Sequence, residues 1–185
     1  MELFSKYKKV YVYRLGHRRE RDKRMTTHVG LVARAFGANG FILHGECDTK
    51  ILEKLNKVLE TWGGKEYFYM ECDNEPLNFF KKWKTNGGEV IHLTMYGLPI
   101  HEVIDNIRKS RRPKLIVVGA GKVPGFVYEN ADYNVSVTTQ PHSEVAALAI
   151  FLDRLYCGKE LDISFKDAKL KVIPSPRGKR VIRVS

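Results

Sequence analysis

Eight consecutive apolar residues, Val145 to Leu152, constrain what this chain can fold into more than any other segment. They sit within Asn134 to Leu155, NVSVTTQPHSEVAALAIFLDRL. The segment reads as a short β-rich strand, a polar turn (Thr138-Thr139-Gln140-Pro141-His142-Ser143), and then a helix apolar on every side. Such a helix cannot face water, so the fold or a partner chain must bury it. Ser143 is a good N-cap, and Glu144 places an acid in the first turn. A strand, a polar loop and a buried helix together make the edge of a ligand site joined to an interface.

Before that segment, strand and helix patterns alternate. Strands are expected over Lys9–Leu15, Gly40–His44, Tyr67–Met70, Val90–Thr94, Leu115–Gly119 and Asn134–Val137, all short and most rich in β-branched or aromatic residues. Thr49–Trp62 puts Ile51, Leu55, Val58, Leu59 and Trp62 on one stripe and stops at Gly63-Gly64. Pro99–Lys109 does the same with Ile100, Val103, Ile104 and Ile107, and Pro99 suits a first helical turn. Thr26–Phe36 and Pro76–Lys84 are further expected helices, each closed by a nearby glycine. This alternation predicts an α/β fold, a mainly parallel sheet with helices on its faces. The last segment changes character: Lys169–Pro174 and Lys179–Val184 are alternating strands joined by the turn Ser175-Pro176-Arg177-Gly178. The expected organisation is therefore a main domain over residues 1–160 and a basic β-hairpin extension over 161–185. That hairpin reads either as an edge protected by lysines or as an RNA-contacting flap.

The chain of 185 residues carries a formal charge of +11, and the excess is clustered. Arg14 to Arg24 holds six Lys/Arg against two acids, Arg108 to Lys114 five against none, and Lys166 to Arg183 seven against Asp167 alone. Any one cluster is compatible with a solvated face; three of them favour a polyanionic partner, because phosphate neutralisation rewards clustered cations. No basic amphipathic helix or lipidation motif points to a membrane. No signal peptide stands ahead of Met1 and no apolar run nears spanning length, so a cytoplasmic protein is expected. Cys47, Cys72 and Cys157 are scattered, odd in number and without metal-site spacing. Each reads as a small semi-buried apolar residue, with a disulfide conceivable if the source is a hyperthermophile.

In open α/β sheets, ligands bind at the carboxyl ends of the strands. Three consecutive strands here run into loops of unusual composition: Leu93-Thr94-Met95-Tyr96-Gly97, then Gly119 to Gly125 (GAGKVPG), then Val137 to Glu144. Small residues let backbone amides approach a ligand, and Pro99, Pro124 and Pro141 stiffen the loops. GAGKVPG is neither a dinucleotide fingerprint, since no acid follows at the right distance, nor a Walker sequence, since Val123 follows Lys122.

Arg14–Gly40 (RLGHRRERDKRMTTHVGLVARAFGANG), Val117–Pro124 (VVGAGKVP) and Val137–Leu155 (VTTQPHSEVAALAIFLDRL) closely resemble the archaeal tRNA cytidine(56) 2′-O-methyltransferases of the SPOUT superfamily. The resemblance spans nearly the whole chain. It implies S-adenosylmethionine as cofactor, tRNA as partner, a C-terminal part threaded as a deep trefoil knot, and a homodimer through the C-terminal helix region. It also implies cofactor contacts from Leu93, from Gly119, Ala120, Gly121, Lys122 and Val123, and from Val137, Thr138, Thr139, Gln140, Pro141, His142, Ser143 and Glu144. Related loops often carry an acid where Gly121 stands, so that side-chain contact is lost here.

The implied reaction passes a methyl group from a sulfonium to a ribose 2′-hydroxyl. The hydroxyl is a weak nucleophile, so the protein must align it and stabilise its developing charge. Candidates in the first motif are Arg18, Arg21, Arg24, His28 and Arg34. An arginine stays protonated, so its role would be cationic, gripping a phosphate and favouring the alkoxide. Arg24 is the first choice and Arg21 the second; His28 is the base on offer, or else a helix-surface histidine. Two other readings stand beside this one: a basic α/β module that binds structured RNA without chemistry, and a ribose methyltransferase of another RNA site.

Overall fold

The alternation written into β1 (Val10–His17) explains how the sheet is covered on both sides. In the computed structural model, which describes residues 9–184, Val10 and Val12 face one layer of helices while Tyr13 and Leu15 face the other. Residues 1–8 of the expected main domain and Ser185 of the extension lie outside the described residues. The sheet continues with β2 (Gly40–Gly45), β3 (Tyr69–Asp73), β4 (Glu89–Pro99), β5 (Lys114–Gly119) and β6 (Tyr133–Ser136). All six strands run parallel in the order β3-β2-β1-β5-β4-β6.

Parallel neighbours need crossovers, and helices supply them. Helices α1 (Arg19–Ala35), α2 (Thr49–Trp62), α4 (Ile100–Lys109) and α6 (Glu144–Tyr156) pack on one face, on Val10, Val12, Phe41, Ile91 and Ile116. Helices α3 (Pro76–Thr85) and α5 (Gly125–Asn130) cover the other face, where Phe80 and Val127 meet Tyr13, Ile42 and Val117. The predicted α/β layering is thus observed.

Strand β3 lies two to three residues later than expected and the hairpin strands are shorter, and three further differences bear on the site. Helix α1 begins at Arg19 instead of Thr26, which puts the arginine-rich motif on a helix. Its start lacks a side-chain N-cap; the Asp22 carboxylate instead accepts from the Arg18 backbone N–H at 3.1 Å, and Glu20 and Asp22 face the helix dipole. Strand β4 runs on to Pro99 through an irregularity in which Leu93 and Leu98 both align with Val135. Thr94–Gly97 loops out between them, and a Cβ on Gly97 would lie 2.5 Å from the backbone of Asn134, so only glycine fits that close approach. Helix α5 has six residues, too few for its period to stand out from the preceding loop.

Helix α6 is less enclosed within the chain than its composition predicts. Leu148, Phe151, Leu152 and Leu155 are buried, but Ala146 and Ile150 lie on an outer stripe, Ile150 being 46% exposed. Past α6, β7 (Leu170–Val172) and β8 (Val181–Arg183) pair antiparallel. The segment leading to them is fixed at the end of α2: Asp167 accepts from the Gly64 and Lys65 amides, and Arg34 stacks 4.5 Å over Phe165. Cys47 and Cys72 form a disulfide with Cα atoms 5.7 Å apart, joining the segment after β2 to β3, whereas Cys157 is free.

Candidate active site

A cavity of about 680 Å³ opens at the carboxyl ends of β4, β5 and β6, within the range of small-molecule sites. Its first wall is Leu93 with the looped-out Thr94, Met95 and Tyr96. Its second is the complete run Gly119, Ala120, Gly121, Lys122 and Val123. Its third is Val137, Pro141, His142 and Glu144, backed by Ala147 of α6. The three loops singled out in the sequence therefore come together around one space.

Four residues expected there do not line it. Thr138, Thr139, Gln140 and Ser143 belong to the same turn but are exposed outside the cavity. Two of them have local work: the Ser143 hydroxyl accepts from the Val145 amide at 3.2 Å as the N-cap of α6, and Thr138 Oγ1 accepts from the Gln140 amide. Both are turn-forming duties typical of these residue types.

Two walls are tied together from below by Arg14, which the sequence reading passed over. This guanidinium is fully buried and donates to the Gly119 carbonyl at 2.7 Å, to Glu144 Oε1 at 2.9 Å and to Thr26 Oγ1 at 3.3 Å. Burial pulls its pKa down, and the hydrogen bond and charge of Glu144 oppose that shift. The signal was present: Val10, Val12 and Arg14 occupy alternate positions of β1, so a cation stands where the period demands an apolar side chain.

His92 is a second buried polar residue at the cavity. Its Nδ1 lies 2.9 Å from Asn134 Oδ1, while Asn134 Nδ2 donates to the Tyr128 carbonyl. Asn134 Oδ1 is therefore the acceptor, which sets the proton on Nδ1. Burial lowers the imidazole pKa, so the ring is held neutral. Tyr128 packs edge-on at 4.7 Å, and its hydroxyl meets Thr94 Oγ1 at 3.1 Å, bracing the looped-out segment.

The arginines of the first motif separate by position. Arg18 reaches the second wall, donating to the Ala120 carbonyl at 3.2 Å while pairing with Asp22 at 2.9 Å. Hydrogen bonding from Arg18 holds the Asp22 carboxyl below the usual carboxylate range. Arg34 is structural, donating to the Trp62 and Gly63 carbonyls. Arg21 and Arg24, the two arginines expected to act on the hydroxyl, do not line the cavity at the cofactor loops within this chain. Because the motif is helical, their positions turn toward α2, where with His28 and Lys54 they line a separate cavity of about 440 Å³.

The model of the family described as tRNA ribose 2′-O-methyltransferase, aTrm56, matches residues 62–182. The chain belongs to the aTrm56 family. A tRNA (cytidine(56)-2′-O)-methyltransferase of Hyperthermus butylicus is 61% identical over 96% of this chain and 94% of its own length. The aTrm56 chain is thus a tRNA-modifying methyltransferase. Solved structures add likeness of fold. The TrmH/SpoU tRNA modifying enzyme of A. aeolicus has a TM-score of 0.59 at 16% identity, over 86% of this chain and 80% of that one. The SpoU methyltransferase AviRb of Streptomyces viridochromogenes, in complex with the cofactor AdoMet, has a TM-score of 0.55 at 13% identity over 80% of this chain. The aTrm56 chain spans 56% of the length of AviRb.

Proposed function

We propose that this enzyme binds S-adenosylmethionine in the 680 Å³ cavity and methylates the ribose 2′-hydroxyl of cytidine 56 of tRNA. The observation that carries the reading is the convergence of the Leu93, Gly119–Val123 and Val137–Glu144 segments on one space. The relative from Hyperthermus butylicus, which carries that activity in its name, supports the target nucleotide. The residues suit the cofactor: Leu93, Val118, Val135 and Ala147 offer apolar contact, and Gly119, Ala120 and Gly121 offer main chain without bulky side chains.

When bound, S-adenosylmethionine would supply a methyl group on a sulfonium, the carbon passing in line to the ribose oxygen as the C–S bond breaks and the sulfur leaves as the neutral thioether. The chain's own part is alignment and charge. Arg14 fixes the spacing of two walls by holding Gly119 and Glu144 at once. Arg18, already at the Ala120 carbonyl, takes the cationic role beside the reacting hydroxyl and favours its ionisation.

Further parts of the reading rest on the family and on exposed surface. The stripe bearing Ile150 on α6 is the contact of a homodimer, with Met25 of α1, 39% exposed, beside it. A knotted C-terminal part rests on the family likeness alone. Residues 161–185 act as an RNA-contacting flap on a main domain of residues 1–160, in a cytoplasmic enzyme. No helix among the described residues is long and apolar enough to cross a membrane.

The test is methyl transfer from labelled S-adenosylmethionine to tRNA transcripts carrying cytidine or another base at position 56. Transfer confined to the cytidine transcript is expected. Equal labelling of both would remove the assignment of the nucleotide, and no labelling of either would favour the non-catalytic RNA-binding reading.

A further inference from the structure

Among the charged residues of the first motif, some have side-chain partners among the described residues and some do not. Arg14, Arg18 and Arg34 are held by carbonyls and carboxylates, and Arg19 donates to the Cys47 carbonyl at 2.9 Å. Arg21 and Arg24 are exposed, and among the described residues neither side chain makes a hydrogen bond or ion pair. They stand one turn apart on α1, with His28 a further turn along the same face. Lys54 of α2 closes the other side of this 440 Å³ cleft, and Glu20 is its one acid. Holding several unpaired cations together costs repulsion that the fold does not relieve; an anionic ligand would relieve it.

We infer that the cleft between α1 and α2 is a binding site for the phosphodiester backbone of the tRNA, separate from the site of methyl transfer. The lining types fit phosphate: guanidinium forks for paired oxygens, an ammonium as a point charge, and the Thr27 side chain at the edge. His28 is the one aromatic ring in the lining, which has no Phe, Tyr or Trp, and the cations outnumber it, so the cleft suits backbone more than bases. Its place suits that duty. Ser143 Oγ lies 4.0 Å from the Met25 sulfur, so the start of α6 borders the cleft on its Met25 side, while Arg24 and Lys54 lie toward α2. This inference rests on tRNA being the substrate and adds a location for its backbone.

The test compares the full-length protein with Arg24→Gln/Lys54→Gln and with Lys81→Gln/Lys82→Gln. The second pair removes the same charge from α3, on the opposite face of the sheet. Binding of a tRNA transcript is measured against salt, and steady-state methyl transfer against tRNA concentration. The cleft variant should lose roughly tenfold or more in tRNA affinity at moderate salt, and its log–log salt slope should shrink by about 1.5, while the α3 variant keeps the slope. The KM for tRNA should rise with the affinity loss, and the melting point and S-adenosylmethionine affinity should match the parent. An unchanged slope, or equal losses in both variants, would overturn the site. Turnover lost at saturating tRNA with binding intact would also overturn it and return Arg24 to the reacting hydroxyl. If the parent binds tRNA but transfers no methyl to it, the enzymatic reading fails, and the binding comparison still decides the cleft.

Discussion

Replacing Arg14 by methionine tests whether the cofactor cavity is held together from beneath. Methionine approximates the shape of the aliphatic stem but removes three hydrogen bonds at once: to Gly119, Glu144 and Thr26. Breaking one side of a buried ion pair costs about 3–5 kcal/mol when the survivor stays buried. The Glu144 side chain is 30% exposed and can take up water, which lowers that cost. The Gly119 carbonyl loses a buried charged donor and adds about 1 kcal/mol or more. Removing the desolvated guanidinium itself returns part of the loss, so the expected destabilisation is about 2–4 kcal/mol. For a chain of this size that is a fall in Tm of roughly 5–15 °C. The two walls would also move independently, so S-adenosylmethionine affinity should drop about tenfold by calorimetry at a temperature where the variant is folded. Arg14→Lys keeps the charge but cannot bridge three acceptors with one ammonium, and should fall between the two. A variant that melts within 2 °C of the parent and binds the cofactor equally would refute the reasoning.

The disulfide between Cys47 and Cys72 closes a loop of sequence separation 25, so Cys72→Ala should cost about 3.5 kcal/mol on the chain-entropy model. Melting with and without reductant should show the same difference in the parent and none in the variant. Burial depresses the pKa values of His17, His44 and His92 in the folded state. Depressed bases give stability that is complete above the unfolded value of about 6.5 and is lost as pH falls toward the folded values. Urea unfolding between pH 7.5 and 5.5 should therefore show stability falling with acid, with a slope reduced in His92→Gln by up to about 1.4 kcal/mol per pH unit. A Cβ on Gly121 would make only ordinary contact, 3.5 Å from Arg18 Nη2. Gly121→Glu should thus fold normally, pair with Arg18 and alter cofactor affinity; a fall in Tm above 5 °C would show that the loop does not admit a side chain.

The sheet was legible because each strand carries a strong local signal: Ile116 and Val118 alternate with Leu115 and Val117 to feed the two cores. The cavity was legible for a different reason, that glycine and proline cluster after consecutive strands of a parallel sheet. Arg14 was hidden because its neighbours drew the eye to charge density instead of strand register. The start of α1 was hidden because RERDKR has no apolar period, and its stop-start signal is a reverse contact from Asp22 that only the folded backbone provides. His92 looked like a core position on an apolar strand, and it is one; its partners Asn134 and Tyr128 come from 42 and 36 residues away in sequence.

The consequence of a helical first motif is that one element serves several surfaces at once. The stripe Asp22, Thr26, Val29 and Ala33 is buried and fixes α1 against the sheet and against Arg14. Just ahead of it, Arg18 reaches the Ala120 carbonyl at the cavity. Met25 turns toward the start of α6, while Arg21 and Arg24 turn toward α2. At about 100° per residue Arg24 and Met25 diverge strongly, while Arg21 lies only about 40° from Met25 and borders both surfaces. An insertion of one residue between Arg18 and Asp22 would rotate every later side chain relative to the cavity and break the Arg18–Asp22 pair. The density of charge in Arg14–Arg24 is therefore several separate assignments on a strand and a helix, and the periodicities of those elements, not the net charge, decide which arginine meets which partner.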